Sequence, residues 1–303
     1  MKVLIADKTD EAAVNRMRAA GLDVTVKTGM ASQELLKEIS PYEAIVVRGA
    51  TKLTAGAIQA AKNLRLIVRA GVGLDNIDMA AAESKKIAVR NTPAATSASV
   101  AELTMGLMVA LARHIPQANL SMHQGRWEKK NFWGTELSGK TLGLLGLGRI
   151  GSEVARRAQA FAMRILTHDP YITAATASAA DAQLVSFDQL LAESDFLSVH
   201  VPLTEGTRNL VDAKAISKMK PGARLIDCAR GGIVDEEAVG RALKQGHLAG
   251  AAFDVFATEP LGDSPLKGLP HCILSPHLGA QTTEGQKRAS QAAADTVIEF
   301  FQK

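Results

Sequence analysis

The sequence TLGLLGLGRIG, residues 141–151, joins a short apolar run to a glycine-rich turn. The apolar run predicts a buried strand, and the spacing of Gly146, Gly148 and Gly151 matches the GxGxxG pattern of dinucleotide-binding loops. In such loops the glycines allow a tight turn and a close approach of the backbone to a pyrophosphate, which N–H groups at a helix N-terminus then bind. The stretch therefore predicts a strand, a phosphate-binding turn and a helix.

The residues around this loop strengthen the interpretation, because a GxGxxG pattern alone is a weak signal. An Ala-rich helical stretch follows the turn, and Asp169 ends the next apolar run. A carboxylate there can accept both hydroxyls of a ribose and would repel a 2′-phosphate, so the sequence favours NAD over NADP. The alternative is an ordinary strand-to-helix turn followed by an acidic strand end.

The composition is that of a folded protein with room for two domains. The chain has 303 residues, of which 47% are hydrophobic and 22% charged, and this excludes a disordered chain. The formal charge is +4, but the basic residues are interspersed with 31 acids, and the densest basic patch, Lys129 and Lys130, is short. A mildly basic, solvated surface is therefore expected, with no nucleic-acid partner.

The cysteines and the N-terminus favour the cytoplasm. Two cysteines, Cys228 and Cys272, form no disulfide framework. Residues 1–7, MKVLIAD, predict a first strand and not a signal peptide. No run reaches the about 18 uninterrupted apolar residues that a membrane span needs. We therefore expect a soluble, cytoplasmic protein with no membrane partner.

Short apolar runs alternate with amphipathic stretches along the whole chain. The apolar runs lie at residues 3–6, 44–47, 66–68, 142–145, 164–167, 196–199, 224–227 and 272–274. The helical stretches lie at residues 10–20, 149–162, 235–245 and 283–301. This alternation is typical of α/β folds with doubly wound parallel sheets, which helices cover on both faces.

One segment interrupts the alternation. Residues 97–118 are predicted to form a single long helix, opened by a capping box of Ser99 and Glu102. The helix precedes the glycine-rich loop, so we expect a domain boundary near residue 97. The last helix is long enough to return to the first domain. Two domains joined by two crossings imply a cleft, where open α/β sheets bind ligands.

Three polar residues follow apolar runs in the last quarter of the chain, namely Arg230, Glu259 and His277. A histidine can take the proton of a hydroxyl while hydride leaves the same carbon, and a neighbouring carboxylate can orient its ring. An arginine matches a substrate carboxylate through two parallel hydrogen bonds. Each residue alone has an ordinary structural explanation, but together they indicate the oxidation of an alcohol.

Other chemistries find little support in the sequence. The histidines and cysteines lack the spacing of metal ligands. There is neither a GxSxG elbow nor a Walker loop. No metal is expected.

These motifs resemble the D-isomer-specific 2-hydroxyacid dehydrogenases, and within that family the catalytic part of the branch that oxidises 3-phospho-D-glycerate in serine biosynthesis. The similar segments are residues 48–51, 71–78, 91–93, 134–141 and 228–235. The resemblance implies an NAD-binding Rossmann domain, residues 97–281, inserted into a smaller flavodoxin-like substrate-binding domain formed by residues 1–96 and 282–303. It also implies the D stereochemistry of the substrate.

The resemblance assigns roles to individual residues. Arg230, Glu259 and His277 would be catalytic, with His277 as general base, and Asp254 would lie near the nicotinamide amide. The residues implied to contact NAD are Gly146, Gly148, Arg149, Ile150, Gly151, Asp169, Cys228, Ala229, Arg230, Asp254, His277 and Gly279. Those implied to bind the substrate are Arg48, Arg69, Val72, Gly73, Arg230 and His277.

The substrate phosphate and the oligomeric state depend on further residues. Arg48 and Arg69 are the candidates for the phosphate, joined by Lys129 or Lys130 of a second subunit, although all could be ordinary surface cations. Family members dimerise through the NAD-binding domain, so a homodimer using residues 97–118 and 127–133 is expected. Because no serine-binding module follows residue 303 in this sequence, we also expect no feedback by serine.

Two other functions remain open. The same motifs serve glyoxylate or hydroxypyruvate reductases and D-lactate dehydrogenases, so only the residues of the first domain discriminate among these small anionic acids. A non-catalytic NAD-sensing scaffold shares the fold, but such proteins usually carry extra tails or peptide-binding surfaces.

Overall fold

The computed structural model describes residues 1–302, which form two compact units. One unit comprises Met1–Ser97 and Ala280–Lys303, and the other comprises Ala98–Gly279. Each unit is an α/β domain on its own parallel sheet, which confirms the predicted fold class. The assignment of substrate binding to the first unit stays a prediction.

The strands and helices alternate along most of the chain; the exceptions are α5 and α6, which are consecutive, and β11 and β12, which no helix separates. The strands are β1 (Lys2–Ile5), β2 (Asp23–Val26), β3 (Ala44–Val47), β4 (Leu66–Arg69), β5 (Ala88–Asn91), β6 (Thr141–Leu145), β7 (Arg164–His168), β8 (Gln183–Leu184), β9 (Phe196–Val199), β10 (Ala223–Asp227), β11 (Leu248–Phe253) and β12 (Cys272–Leu274). The helices are α1 (Glu11–Ala19), α2 (Ser32–Glu38), α3 (Ala55–Ala60), α4 (Met79–Ser84), α5 (Ser97–Arg113), α6 (Ile115–His123), α7 (Arg149–Ala160), α8 (Ala174–Ser178), α9 (Phe187–Glu193), α10 (Ala213–Ser217), α11 (Glu236–Lys244) and α12 (Thr283–Gln302). Two short 3-10 helices, Lys129–Asn131 and Glu205–Thr207, lie in loops.

The first unit contains a five-stranded sheet in the order β2-β1-β3-β4-β5, with all pairs parallel. This is the strand order of flavodoxin-like folds. The central strands are fully buried because helices cover both faces, which explains their continuous apolar sequences.

Helix α12 completes the core of this unit although it lies at the far end of the chain. It contributes Ala289, Ala293 and Val297, which are spaced four residues apart and therefore share one face. These small side chains pack in one cluster with Ala13 and Met17 of α1. The first unit is thus built from two separate stretches of sequence.

The second unit contains a seven-stranded parallel sheet in the order β12-β11-β10-β9-β6-β7-β8. From β6 the chain adds strands first on one side, through β7 and β8, and then on the other, from β9 to β12. The order therefore reverses between β6 and β9, which are paired neighbours. Ligands of open α/β sheets bind at such a reversal, beyond the carboxyl ends of the strands.

The prediction of a single long helix over residues 97–118 is wrong. Helices α5 and α6 meet at an angle of 66°, and His114 between them has a φ of 54°. Pro116 is the cause, because its ring cannot donate to the carbonyl of Ala112 four residues earlier and would clash with it. The carbonyl of Ala112 accepts the N–H of Thr135 instead, at 2.8 Å.

The predicted capping box at this helix is also wrong. The helix begins at Ser97, so Ser99 lies inside its first turn. The carboxylate of Glu102 forms an ion pair with Arg157 at 3.0 Å, and does not reach back to the start of the helix. The N-cap of the helix is residue 96, three residues before the Ser99 that the sequence pattern suggested.

Between residues 1 and 302, no single helix is long and apolar enough to cross a membrane. The bent pair of α5 and α6 passes such a test together, by length and composition only. Three residues of α5, Ala101, Met108 and Ala112, are fully buried in the core of the second unit.

Candidate active site

The glycine-rich loop has the geometry that a bound dinucleotide requires. Gly146 has a φ of 95°, and a Cβ there would lie 2.9 Å from Val201 Cγ1. A Cβ on Gly151 would lie 2.3 Å from the carbonyl oxygen of Gly146, so this glycine lets α7 pack closely against the turn. At Gly148, by contrast, a Cβ would meet nothing within 4 Å. Protein atoms therefore surround the loop at its first and third glycines, whereas the space beside the second glycine is open, as the approach of a pyrophosphate requires.

The N-terminus of α7 provides donors for the same pyrophosphate. The helix is 12 residues long, begins at Arg149, and its N-cap residue Gly148 provides no side-chain hydrogen bond. The first N–H groups of a helix have no partner within the helix and carry the positive end of its dipole. Uncapped N–H groups beside an open glycine fit an anionic ligand.

Asp169 lies beside this loop, immediately after β7. Its two carboxylate oxygens accept backbone N–H groups, one from Leu147 and one from Tyr171, each at 3.0 Å. These bonds hold the carboxylate next to the loop and leave further lone pairs for ligand hydroxyls. The arrangement suits an unphosphorylated ribose, and the contact of Asp169 with NAD stays a prediction.

The end of β10 contributes the segment from Cys228 to Arg230. Cys228 and Ala229 are buried, and burial raises the pKa of the Cys228 thiol, which therefore stays neutral and unreactive. The guanidinium of Arg230 donates to the carbonyl of Ala229 at 2.6 Å. Asp227, the last residue of the strand, accepts the N–H of Ala229 at 2.9 Å.

Glu259 and His277 form a pair that faces solvent. Glu259 Oε2 lies 2.8 Å from His277 Nδ1, and the two side chains are 37% and 48% exposed. A carboxylate only accepts hydrogen bonds, so Nδ1 donates and the other ring nitrogen, Nε2, is left as the acceptor of a neutral ring. The second oxygen of Glu259 accepts the N–H of Phe256 at 3.1 Å. The pair can therefore take up a proton at an accessible nitrogen.

Asp254 holds the loop that carries the histidine. This buried carboxylate accepts the hydroxyl of Ser275 at 2.6 Å and the N–H groups of Leu278 and Gly279 at 2.7 and 2.8 Å. Its carbonyl accepts the N–H of His277 at 2.9 Å. His277 has a φ of 54°, a conformation that costs a residue with a Cβ about 1–2 kcal/mol. The contacts of Asp254 hold the loop in this conformation.

The structure brings most of the predicted residues of the second unit to one edge of its sheet. The glycine-rich loop, Asp169, Arg230, Asp254 and His277 all follow the carboxyl ends of parallel strands. Glu259 reaches the same edge through its contact with the histidine. Their assigned roles stay predictions.

The predicted substrate residues of the first unit gather at the corresponding edge of its own sheet. Arg48 follows β3 and Arg69 ends β4, and these strands are paired so that Val47 lies opposite Arg69. Burial lowers the pKa of Arg48, although the guanidinium stays charged near neutral pH. Val72 and Gly73 lie in the loop after β4, where the Val72 carbonyl accepts the side-chain amide of Asn91 at 2.6 Å.

Two residues of the second unit were not identified from the sequence. Glu236, the first residue of α11, accepts the N–H of Ala257 at 2.7 Å. Gly231 lies against the same peptide, because a Cβ there would be 1.9 Å from the carbonyl carbon of Phe256. The sequence contains a signal for the second, since Gly231 and Gly232 follow the candidate Arg230 directly.

The fold and this site are typical of the dinucleotide-binding class of α/β proteins. A GxGxxG loop and a carboxylate–histidine pair lie at the same edge of one parallel sheet. Residues 105–279 match the model of the D-isomer specific 2-hydroxyacid dehydrogenase NAD binding domain. The chain belongs to the D-isomer specific 2-hydroxyacid dehydrogenase family, and NAD is its cofactor.

Known proteins with similar sequences and structures agree with this assignment. The chain is 48% identical over 299 residues to D-3-phosphoglycerate dehydrogenase of Archaeoglobus fulgidus, covering 98% of this chain and 57% of that protein. The TT0316 protein of Thermus thermophilus is similar in structure, with a TM-score of 0.91, 34% identity and coverage of 100% of this chain and 97% of that one. A glyoxylate reductase of Paecilomyes thermophila has a TM-score of 0.91, 31% identity and coverage of 100% and 96%. The chain spans little more than half the length of the curated relatives that it matches.

Proposed function

We propose that this protein oxidises 3-phospho-D-glycerate to 3-phosphohydroxypyruvate with NAD, the first step of serine biosynthesis. The contact of 2.8 Å between Glu259 and His277, in the unit that carries the NAD-binding loop, supports the oxidation of a hydroxyl group. The identity of 48% to a D-3-phosphoglycerate dehydrogenase supports the choice of acid.

The residues divide the work as follows. NAD, when bound, supplies the hydride acceptor. His277 takes the hydroxyl proton at Nε2, and Glu259 orients the ring and stabilises the imidazolium that results. Arg230 binds the substrate carboxylate, whose geometry matches a guanidinium. Arg48 and Arg69, at the ends of paired strands, bind the phosphate.

The second candidate is the same chemistry on an unphosphorylated acid, such as glyoxylate, hydroxypyruvate or D-lactate. The structural similarity to a glyoxylate reductase favours this alternative. Both candidates use the same pair of Glu259 and His277, so only the substrate distinguishes them. The accessible carboxylate–histidine pair has no evident use in a non-catalytic NAD-sensing scaffold.

The test is the formation of NADH by the purified protein with 3-phospho-D-glycerate, D-glycerate and D-lactate. The matched variant is His277→Asn, because asparagine tolerates the positive φ of this position better than alanine does. We expect a strong preference for the phosphorylated acid and a loss of on the order of 100- to 10,000-fold in the variant. Equal or faster turnover of an unphosphorylated acid would contradict the choice of 3-phospho-D-glycerate and support the second candidate.

We further propose that the protein is a homodimer and that it lies in the cytoplasm. Trp127 and Trp133 are 80% and 85% exposed, and Leu120 and Met122 of α6 are both 56% exposed. Large exposed apolar side chains concentrated in one stretch of sequence are typical of an interface. Both cysteines are free, which suits a reducing compartment.

A further inference from the structure

The loop that carries Glu259 packs against the loop that follows β10. Gly231 packs directly on the peptide between Phe256 and Ala257, since a Cβ would lie 1.9 Å from the Phe256 carbonyl carbon and 2.4 Å from the Ala257 nitrogen. Only a glycine allows two backbones to approach so closely. The position of this peptide is therefore set by the segment that follows Arg230.

Glu236 bonds the same peptide from its other end. Its Oε1 accepts the N–H of Ala257 at 2.7 Å, and its Oε2 lies 3.4 Å from the hydroxyl of Ser264 further along the loop. Glu236 is the first residue of α11, where the helix dipole stabilises a negative charge. The next residue, Glu237, also lies in the first turn of α11, but its side chain is exposed. Its carboxylate lies 3.9 Å from the guanidinium of Arg241 on the same helix.

The peptide held in this way positions the carboxylate of the catalytic pair. Gly231 contacts the carbonyl of Phe256. The N–H of the same residue donates to Glu259 Oε1 at 3.1 Å. The second oxygen of Glu259 then contacts His277 at 2.8 Å. A continuous series of hydrogen bonds and backbone contacts thus runs from Glu236 to the histidine ring.

We propose that Glu236 is a positioning residue of the active site, which holds the Phe256–Ala257 peptide and thereby keeps Glu259 directed at His277. This proposal rests on the proposed function for its kinetic consequence, but not for its structural one. Without the Glu236 carboxylate the peptide can rotate away, and Glu259 loses the N–H that fixes one of its two oxygens. The imidazole ring then loses its orientation, while the other residues proposed to bind NAD and substrate stay in place.

The first experiment needs no substrate. In the full chain labelled with nitrogen-15, amide exchange is measured at Phe256 and Ala257, together with the signal of the proton on His277 Nδ1. In Glu236→Ala we expect faster exchange at both amides and loss of the hydrogen-bonded Nδ1 proton signal. Faster exchange at Ala257 alone, with Phe256 and His277 unchanged, would overturn the proposal because the effect would not reach the pair.

The second experiment measures turnover with the best acid found for the unaltered protein. We expect Glu236→Ala to lower kcat by on the order of 10- to 100-fold, as small displacements of catalytic groups do, with the KM for NAD and substrate little changed. Glu236→Gln keeps an oxygen acceptor for the Ala257 N–H and should restore most of the activity. The matched control, Glu237→Ala, should behave as the unaltered protein.

A double-mutant cycle separates positioning from general damage. If Glu236 acts through Glu259, then Glu236→Ala should have almost no further effect on kcat in a Glu259→Gln background. Additive losses in the cycle, or a rise in KM instead of a fall in kcat, would contradict the proposal. Absence of turnover with every 2-hydroxy acid in the unaltered protein would refute the proposed function, and the exchange measurements would still decide the role of Glu236.

Discussion

Asp227 offers the sharpest test of the electrostatics in the second unit, because it is a fully buried acid whose carboxylate accepts the N–H of Ala229. Its pKa is raised from 3.8 to about 8, mainly by burial and to a smaller extent by the nearby carboxylates of Glu236 and Asp254. The N–H of Ala229 and the charge of Arg230 lower it only in part. The informative substitution is Asp227→Asn, which resembles the neutral acid in shape and keeps an oxygen to accept the Ala229 N–H.

The effect of this substitution on stability follows from the protons bound by each state. The neutral acid favours the folded state fully below pH 3.8, and this contribution is lost as the pH rises through about 8. Within that window the folded protein holds one proton more than the unfolded chain. The free energy of unfolding therefore falls by about 1.4 kcal/mol per pH unit on account of Asp227. The asparagine variant has no such dependence, so it should gain about 3 kcal/mol relative to the unaltered protein between pH 5 and pH 7.

Urea unfolding at pH 5, 6 and 7, followed by circular dichroism, measures this difference. His200, whose pKa burial lowers to about 4, changes stability in the opposite direction below pH 6.5, but it does so in both proteins and cancels in the comparison. Asp263→Asn, at an exposed aspartate of the same unit, is the control and should leave the slope unchanged. Parallel stability curves for Asp227→Asn and the unaltered protein between pH 5 and pH 7 would refute the reasoning.

Three further predictions concern the cofactor, the substrate and assembly. Asp169→Asn should raise the KM for NAD and lower that for NADP, each by roughly tenfold, because a charge-assisted bond to the ribose is lost together with the repulsion of a 2′-phosphate; unchanged cofactor preference in steady-state kinetics would contradict this. Arg48→Glu should raise the KM for 3-phospho-D-glycerate and leave that for D-glycerate unchanged, and equal effects on both acids would exclude a phosphate contact. Replacing Trp127 and Trp133 by serine should convert a dimer into a monomer in analytical ultracentrifugation, whereas Tyr171→Ser, at a side chain that is 94% exposed, should not.

The sequence predicted those parts of the fold and site that follow from local patterns. The three glycines of the 141–151 stretch have the separate structural roles that their spacing implies, because a tight turn and a close helix contact each exclude a Cβ. The pairing of Glu259 with His277 could be expected, since both follow strands that end at one edge of a parallel sheet. Strands such as Ala44–Val47 can be predicted from the sequence because burial on both faces makes them continuously apolar.

What the sequence did not reveal depends on contacts between distant segments. The break at His114 requires a new partner for the Ala112 carbonyl, and Thr135 supplies it from another loop. The contact of Glu236 with Ala257 joins the start of α11 to the loop after β11, and only the sheet order determines that these two segments lie close together. From the sequence alone, where the order of strands in the sheet is not known, Glu236 looks like any other acidic residue at the start of a helix.

The path of the chain between the two units has a consequence for folding during synthesis. Residues 98–279 form the second unit without interruption, so all its strands are available as soon as residue 279 has emerged from the ribosome. The first unit lacks α12 until residues 283–302 have been made, so residues 1–97 wait roughly 10–40 seconds for it at about 5–20 residues per second. During that delay the apolar face of α1 that α12 later covers is exposed. Nascent chains stalled before α12 should therefore carry a completed nucleotide-binding unit beside an open first unit, which is the part that chaperones would have to protect from aggregation.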